Sequence, residues 1–439
     1  MLVYVPAASC EAATFATIVA QRLVTCAFSF VLNYNAMKPI VLIFSTALLI
    51  LSCSTHNTTN GQTAGSSVET KPPNSDYKPA FAGQTRIASV KTTTPYAATV
   101  LSKELSKPWG IVAMPDGRLL IAQKGGAMRI ANADGSLSAA ITGIPEVNAS
   151  GQGGLLGLTL DPQFTTNRML YWCFSDASTG SNLTAVAKGR LSNDGSRIEA
   201  AVVIYRATPA HNSTLHYGGR ILFDKTGNLF VSTGERSDLE TRPLAQSLEA
   251  ALGKVLRITK DGQAAPGNPL LNQSGARPEI YSYGHRNVQG LALHPETGDL
   301  WEGEFGPKGG DEINRIQAGK NYGWPTITYG LEYSGSKVGG GITQKEGLEQ
   351  PAYYWDPVIS PSGMTFYSGK GIDEWKNNLF VGALSGNHIA RLVVKDNKIT
   401  GEERLLPGEG QRFRDVTEGA DGVLYAVTDE GRLYKIAKK

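Results

Sequence analysis

Six times between residues 116 and 426 the chain repeats one short pattern: a turn carrying Gly or Asn, then Leu, then alternating apolar residues. The copies are Asp116-Gly-Arg-Leu-Leu-Ile121, Asn167-Arg-Met-Leu-Tyr171, Thr226-Gly-Asn-Leu-Phe-Val231, Thr297-Gly-Asp-Leu-Trp301, Asn377-Asn-Leu-Phe-Val381 and Asp421-Gly-Val-Leu-Tyr-Ala426. Each has the chemistry of a turn feeding a half-buried strand. Successive copies stand about 45 to about 80 residues apart, which suits a four-stranded propeller blade plus insertions. At roughly 150 residues per domain, length alone would divide the chain into about three domains. A sixfold repeat over the part that follows position 96 gives about 57 residues per unit and accounts for one large domain instead. A two-sheet sandwich seldom needs so many near-equivalent turns, and few helical patterns interrupt them; Ser247 to Leu252 is the nearest to a helix. The sequence therefore predicts an all-β, six-bladed β-propeller of antiparallel four-stranded blades over residues 97–439. In such a fold, loops from every blade meet around a central depression.

Composition excludes two classes. Hydrophobic residues at 41% and charged residues at 18% are ordinary globular values, so the chain as a whole is not intrinsically disordered. Lys and Arg together number 42 against 39 Asp and Glu, a net charge of +3 with no basic stripe, which argues against nucleic acid as a partner.

The amino terminus is organised for export. From Met37 the chain reads Met-Lys-Pro, an apolar run from Ile40 to Leu51, then Ser52-Cys53-Ser54. This resembles a bacterial lipobox, with residues 37–52 as a lipoprotein signal peptide and Cys53 as the lipidated first mature residue. The alternatives are an uncleaved anchor or a buried core segment. The resemblance implies a lipid-anchored protein of the cell envelope, at the outer membrane facing the periplasm, touching the membrane through its lipid only. Residues 1–36 read as an upstream extension, and residues 53–96, rich in Ser, Thr, Asn, Gly and Pro, as a flexible tether. Cys10, Cys26 and Cys53 fall in this leader, which leaves Cys173 alone in the body as a small buried strand residue.

Several polar motifs sit beside close turns: Gly151-Gln-Gly-Gly154, His216-Tyr-Gly-Gly-Arg220, Gly234-Glu-Arg236, Gly284-His-Arg-Asn-Val-Gln-Gly290, Glu304-Phe-Gly-Pro-Lys-Gly-Gly-Asp-Glu312, Asn321-Tyr-Gly-Trp-Pro325 and Arg412-Phe-Arg-Asp415. As a set, over about residues 97–439, they resemble the soluble, periplasmic family of glucose and aldose sugar dehydrogenases that depend on pyrroloquinoline quinone. The resemblance implies oxidation of an aldose at C1 to its lactone, with hydride passing to the quinone and electrons onward to an unknown acceptor.

It also implies roles. His216 corresponds to the general base, a task that suits an imidazole near neutral pKa. Taken alone, a histidine is more often structural, and His211 and His285 stand nearby. Arg412 and Arg414, two apart and so on one face of a strand, correspond to the pair that binds quinone carboxylates through charge-assisted forks. Without the resemblance they read as a solvated pair. Arg236 corresponds to the arginine against the quinone carbonyls, and Gln152 to a pocket amide. Gly306 and Pro307 correspond to main-chain carbonyl ligands of a calcium ion, with Asp311 and Glu312 associated with a second, structural calcium.

Two positions depart from the glucose enzymes. Ser385 stands where they have a lysine, and Leu215 precedes the histidine where an aspartate can stand. Both favour a broader aldose class. The competing readings are a propeller that only binds a glycan or protein, and a calcium-dependent lactone hydrolase, which needs a carboxylate-rich metal site in the central channel.

Overall fold

The computed structural model describes residues 65–178 and 180–439; the expected signal segment 37–52, the residues upstream of it and Cys53 lie outside them. Six antiparallel sheets are arranged as the blades of a propeller. Their innermost strands are, in chain order, Pro108–Ala113, Leu155–Leu160, Ile221–Phe223, Val288–Leu293, Pro361–Phe366 and Phe413–Glu418. Each packs beside the next, and Phe413–Glu418 returns to Pro108–Ala113 to close the ring. Blade 1 completes its outer edge with the bridges Ala131 to Leu137 and Met128 to Ile141. In blade 6 the outermost strand comes from the other end of the domain: Tyr96–Ser102 pairs antiparallel with Leu433–Lys438.

All six repeat copies form the same element, the second strand of a blade: Leu119–Gln123, Met169–Asp176, Leu229–Ser232, Leu300–Glu304, Leu379–Ala383 and Leu424–Thr428. Where the sequence predicts half-buried strands, these are buried on both faces, because each blade is sandwiched between two neighbours. Met169–Asp176 makes the point. Leu170 and Trp172 pack with Met128 and Ile130 of blade 1, while Tyr171 and Cys173 pack with Ile221 and Leu256 of blade 3. At roughly 1.5–3 kcal/mol per fully buried large apolar side chain, these interblade seams hold the ring together. Cys173 is a fully buried strand residue, and burial pushes its thiol well above the ordinary range.

Two expectations are corrected. Ser247 to Leu252 is not helical; a short 3-10 turn at Arg242–Ala245 precedes it. The backbone groups that a helix there would pair go elsewhere: the Ala251 N–H donates to the Thr208 carbonyl at 2.8 Å, and the Leu248 carbonyl accepts the Arg277 N–H at 2.9 Å. The predicted tether is also shorter than expected, since from residue 65 onward it is a strap bound to blades 4 and 5. Asn74 and Ser75 donate to the Asp356 carboxylate, Glu69 pairs with Arg404 at 2.8 Å, and Thr92 bonds Glu403 at 2.6 Å. Polar residues that signal disorder in isolation here satisfy carboxylates and guanidinium groups of the blades.

Candidate active site

A cavity of about 310 Å³ opens on the propeller axis, with walls from five of the six blades. Lys107, Trp109 and Lys124 come from blade 1, Gln152 from the approach to blade 2, Gln289 and Phe305 from blade 4, Leu384 from blade 5, and Arg412, Arg414 and Asp429 from blade 6. Arg412 and Arg414 both reach Asp429, as their spacing on one strand face requires: Arg412 Nε is 2.9 Å from Asp429 Oδ2, and Arg414 Nε is 2.8 Å from Oδ1. Burial opposes ionisation of Asp429, but the two guanidinium groups outweigh it and hold its carboxyl below the usual range.

His216 lies directly behind this wall. Its main-chain N–H donates to Gln152 Oε1 at 2.8 Å, and the residue is 4% exposed. Its Nδ1 is 2.6 Å from Glu235 Oε1. An ionised carboxylate only accepts, so Nδ1 carries the proton and Nε2 keeps its lone pair. Burial, with the positive charge of Arg286 next, lowers the ring's pKa to about 4 despite the opposing pull of Glu235. The imidazole is therefore neutral and able to accept a proton at physiological pH. His216 and Arg236 both sit in left-handed backbone, φ 46° and 76°. Gly234 makes the close approach possible: a Cβ there would lie 2.2 Å from the His216 carbonyl oxygen.

Arg236 is not among the residues that line this cavity, and its Nε and Nη1 are buried without a partner. Its guanidinium lies 3.6 Å from the Tyr217 ring centroid and bonds Asn182 Oδ1 and the Ser213 carbonyl, so it braces the loop that carries His216. A second buried guanidinium close to the site is Arg286, in the Gly284-His-Arg-Asn motif. It donates to the carbonyls of Phe305 and Gly306 at 3.1 and 2.7 Å, and its Nε is buried without a partner.

The metal positions divide. Gly306 and Pro307 are buried, and the Gly306 carbonyl already accepts from Arg286. Asp311 is a turn staple rather than an open ligand: its oxygens accept the N–H groups of Gly306, Ile359 and Ser360 at 2.8, 2.8 and 2.6 Å. Burial, opposed by those bonds, raises its pKa to about 7. Glu312 instead pairs with Glu304 across neighbouring strands, beside Glu302. His285, Glu302 and Glu304 offer atoms within 4.8 Å of one another. Glu302 is fully buried and its Oε2 has no partner, an oxygen-rich donor set suited to a hard cation. Burial, then the charge of Glu304, holds Glu302 and Glu312 well above the usual carboxylate range. Three glutamates on adjacent strands of one blade were not recognised from the sequence as a group, because their convergence depends on register.

Lys107, Trp109, Lys124, Gln289 and Asp429 line the cavity beyond the residues expected there. Gln289 lies within a quoted motif; the others carry no motif and reach the axis only through the fold.

A six-bladed propeller with a cation-lined axial cavity and a carboxylate-held histidine behind its wall has the parts of an oxidoreductase for polar substrates. The chain belongs to the glucose/sorbosone dehydrogenase family, whose model matches residues 105–435. It is 42% identical over 347 residues to the aldose sugar dehydrogenase YliI of Escherichia coli (strain K12), covering 77% of this chain and 92% of that protein. The crystal structure of the soluble aldose sugar dehydrogenase from Escherichia coli in the apo-form superposes with a TM-score of 0.75 at 41% identity, over 78% of this chain and 100% of that one. The PQQ-bound form of aldose sugar dehydrogenase from Streptomyces coelicolor gives 0.65 at 30% identity, over 79% and 99%.

Proposed function

We propose that the protein oxidises aldose sugars at C1 to lactones with pyrroloquinoline quinone as bound oxidant. The observation that carries this reading is the juxtaposition of a neutral, carboxylate-oriented imidazole with a cavity that holds four cationic side chains against one carboxylate. The fit to an anionic cofactor is electrostatic: a ligand with several carboxylates meets an excess of guanidinium and ammonium groups. When bound, the quinone supplies the two-electron acceptor for the C1 hydride. His216 Nε2 takes the proton of the C1 hydroxyl, and Glu235 stabilises the resulting imidazolium through Nδ1–H. Arg412 and Arg414 bind carboxylate, Gln152 fixes the His216 main chain, and Trp109 and Phe305 supply apolar walls. Arg286 brings positive charge beside His216 and favours its neutral form before reaction.

Calcium has two places in this reading. One is the turn at Gly306 and Pro307, where a cation would replace the Arg286 guanidinium on the Gly306 carbonyl. The other is the Glu302, Glu304 and Glu312 group, in place of the expected Asp311 site. The substrate partner is an aldose, the electron acceptor is unidentified, and the protein is held at the envelope membrane by lipid on Cys53. A calcium-dependent lactone hydrolase would need metal-ligating carboxylates on the axial cavity, whose one carboxylate, Asp429, is committed to Arg412 and Arg414.

The test is to add quinone and calcium to the purified protein and record its absorption with and without an aldose. Sugar-dependent appearance of the reduced-quinone band supports an enzyme, and a bound quinone that no aldose reduces sinks the reading.

A further inference from the structure

The cavity is electrically one-sided. All of its cations come from blades 1 and 6, which are neighbours in the ring, whereas the walls from blades 2, 4 and 5 offer amides and apolar groups. Within the basic half, Asp429 is held by both arginines, so Arg412 and Arg414 share one counter-charge. Among the described residues Lys107 and Lys124 form no ion pair, although the Asp429 charge is felt at Lys124. The fold sets these two side by side, since the Lys124 N–H donates to the Lys107 carbonyl at 2.9 Å. The Lys124 ammonium donates to a neutral acceptor, the Ala149 carbonyl, at 2.8 Å. Two of its three protons therefore remain for a ligand. Ser385 does not contribute to this wall: its hydroxyl lies 2.8 Å from the Ser360 hydroxyl and 3.5 Å from the Val358 carbonyl.

We infer that Lys124, with Lys107 beside it, is a carboxylate-binding residue of the cofactor cavity, taking an anionic group of the quinone on the blade 1 side while Arg412 and Arg414 take another on the blade 6 side. This rests on the quinone reading for the identity of the ligand, but its chemistry is that of any aromatic polycarboxylate. Burial, then the charges of Lys107 and Arg414, lowers the Lys124 pKa against the smaller opposing pull of Asp429, so an anion arriving there relieves repulsion left among these cations. Replacing the side chain leaves the fold's own ion pairs untouched, because Lys124 makes none.

The experiment is calorimetric titration of the calcium-loaded, quinone-free protein with two probes, pyrroloquinoline quinone and benzene-1,3,5-tricarboxylate, at low and high salt. Lys124→Met is expected to weaken both roughly ten- to a hundredfold and to flatten the salt dependence, as loss of one charge-assisted bond does. Lys124→Arg should stay within about threefold of wild type, because the charge is retained. A carboxylate-free ortho-quinone, phenanthrolinedione, should bind wild type and Lys124→Met alike. If Lys124→Met binds both polycarboxylates as wild type does, the inference is overturned. If wild type binds neither probe, the basic wall is no carboxylate site and the inference falls as well. If wild type binds the tricarboxylate through Lys124 but refuses the quinone, the cofactor reading fails alone and the anion site stands.

Discussion

Arg220 and Asp415 meet at 2.6 Å although they belong to blades 3 and 6, which face each other across the ring of innermost strands. Arg220 also donates through Nε to the Gln289 carbonyl, and its guanidinium lies 4.4 Å from the Trp109 ring centroid, beneath the cavity wall. Gly363 makes room for the pair, since a Cβ there would lie 1.7 Å from Asp415 Oδ1. Four blades are thus tied at one point below the site. Burial pulls the Arg220 pKa down and pushes that of Asp415 up, each against the partner's charge, so desolvation is the larger effect for both. Breaking such a pair leaves one buried charge alone, at a cost of about 3–5 kcal/mol.

Asp415→Asn is therefore expected to lower unfolding stability by about that amount, and Arg220→Met/Asp415→Asn by less than Asp415→Asn alone, because the double variant removes the stranded cation. Denaturant unfolding of the three proteins measures this. A double variant no better than the single would show that the two charges are not coupled.

The His216 ring has a folded pKa of about 4, against an ordinary value near 6.5. Between those values the unfolded chain binds a proton that the folded protein refuses. The stability associated with neutral burial is thus full above about pH 6.5 and is lost as pH falls toward and through about 4. His388, also lowered to about 4 by burial and then Arg404, adds to the same window. His216→Gln should flatten part of this dependence in melts recorded from pH 4 to 8. For turnover, the acid limb of kcat/KM should lie well below pH 6 if His216 is the base. His216→Ala should lose roughly two to four orders of magnitude in kcat with quinone affinity little changed. Near-normal turnover would remove it from the mechanism.

How much of this was legible in sequence follows from what each feature depends on. The blade number was, because Leu119, Leu170, Leu229, Leu300, Leu379 and Leu424 recur behind the same turn and each must be buried in a seam. His216, Gln152, Arg412 and Arg414 come together because local motifs carry them to the axis. For Arg236, sequence gives its position beside Glu235 but not the direction of a long side chain that stacks on Tyr217. Lys107 and Lys124 were missed because a lysine after a turn is ordinary, and only the ring makes these two neighbours of Arg414. The strap was missed because polar composition does not reveal whether side chains find partners 282 residues away, as Asn74 finds Asp356.

Cys53 is expected to carry lipid. The strap is tied to blade 5 from Glu69, whose carboxylate pairs with Arg404 at 2.8 Å. Cys53→Ala should release active protein from membranes on fractionation, since multiple acyl chains are needed for stable anchoring. Wild-type protein recovered free of membranes would refute the lipid anchor.

Calcium should act at two separable places. At the group formed by Glu302, Glu304 and Glu312, a cation would meet the unpartnered Glu302 Oε2 without help from any cofactor. Ligand linkage then gives the quinone-free protein about 2.7 kcal/mol of added stability when calcium stands at a hundred times its dissociation constant. Glu302→Gln should abolish that calcium-dependent rise in Tm, because it removes the carboxylate charge while keeping the bond from Asn314 Nδ2 to Oε1. At the turn of Gly306 and Pro307, by contrast, calcium should be held together with the quinone, so chelation of the loaded protein should release cofactor in Glu302→Gln as in wild type. If Glu302→Gln keeps the full calcium-dependent rise in Tm, the buried glutamates do not bind the ion, and the stabilising calcium must be sought at the turn beside Arg286.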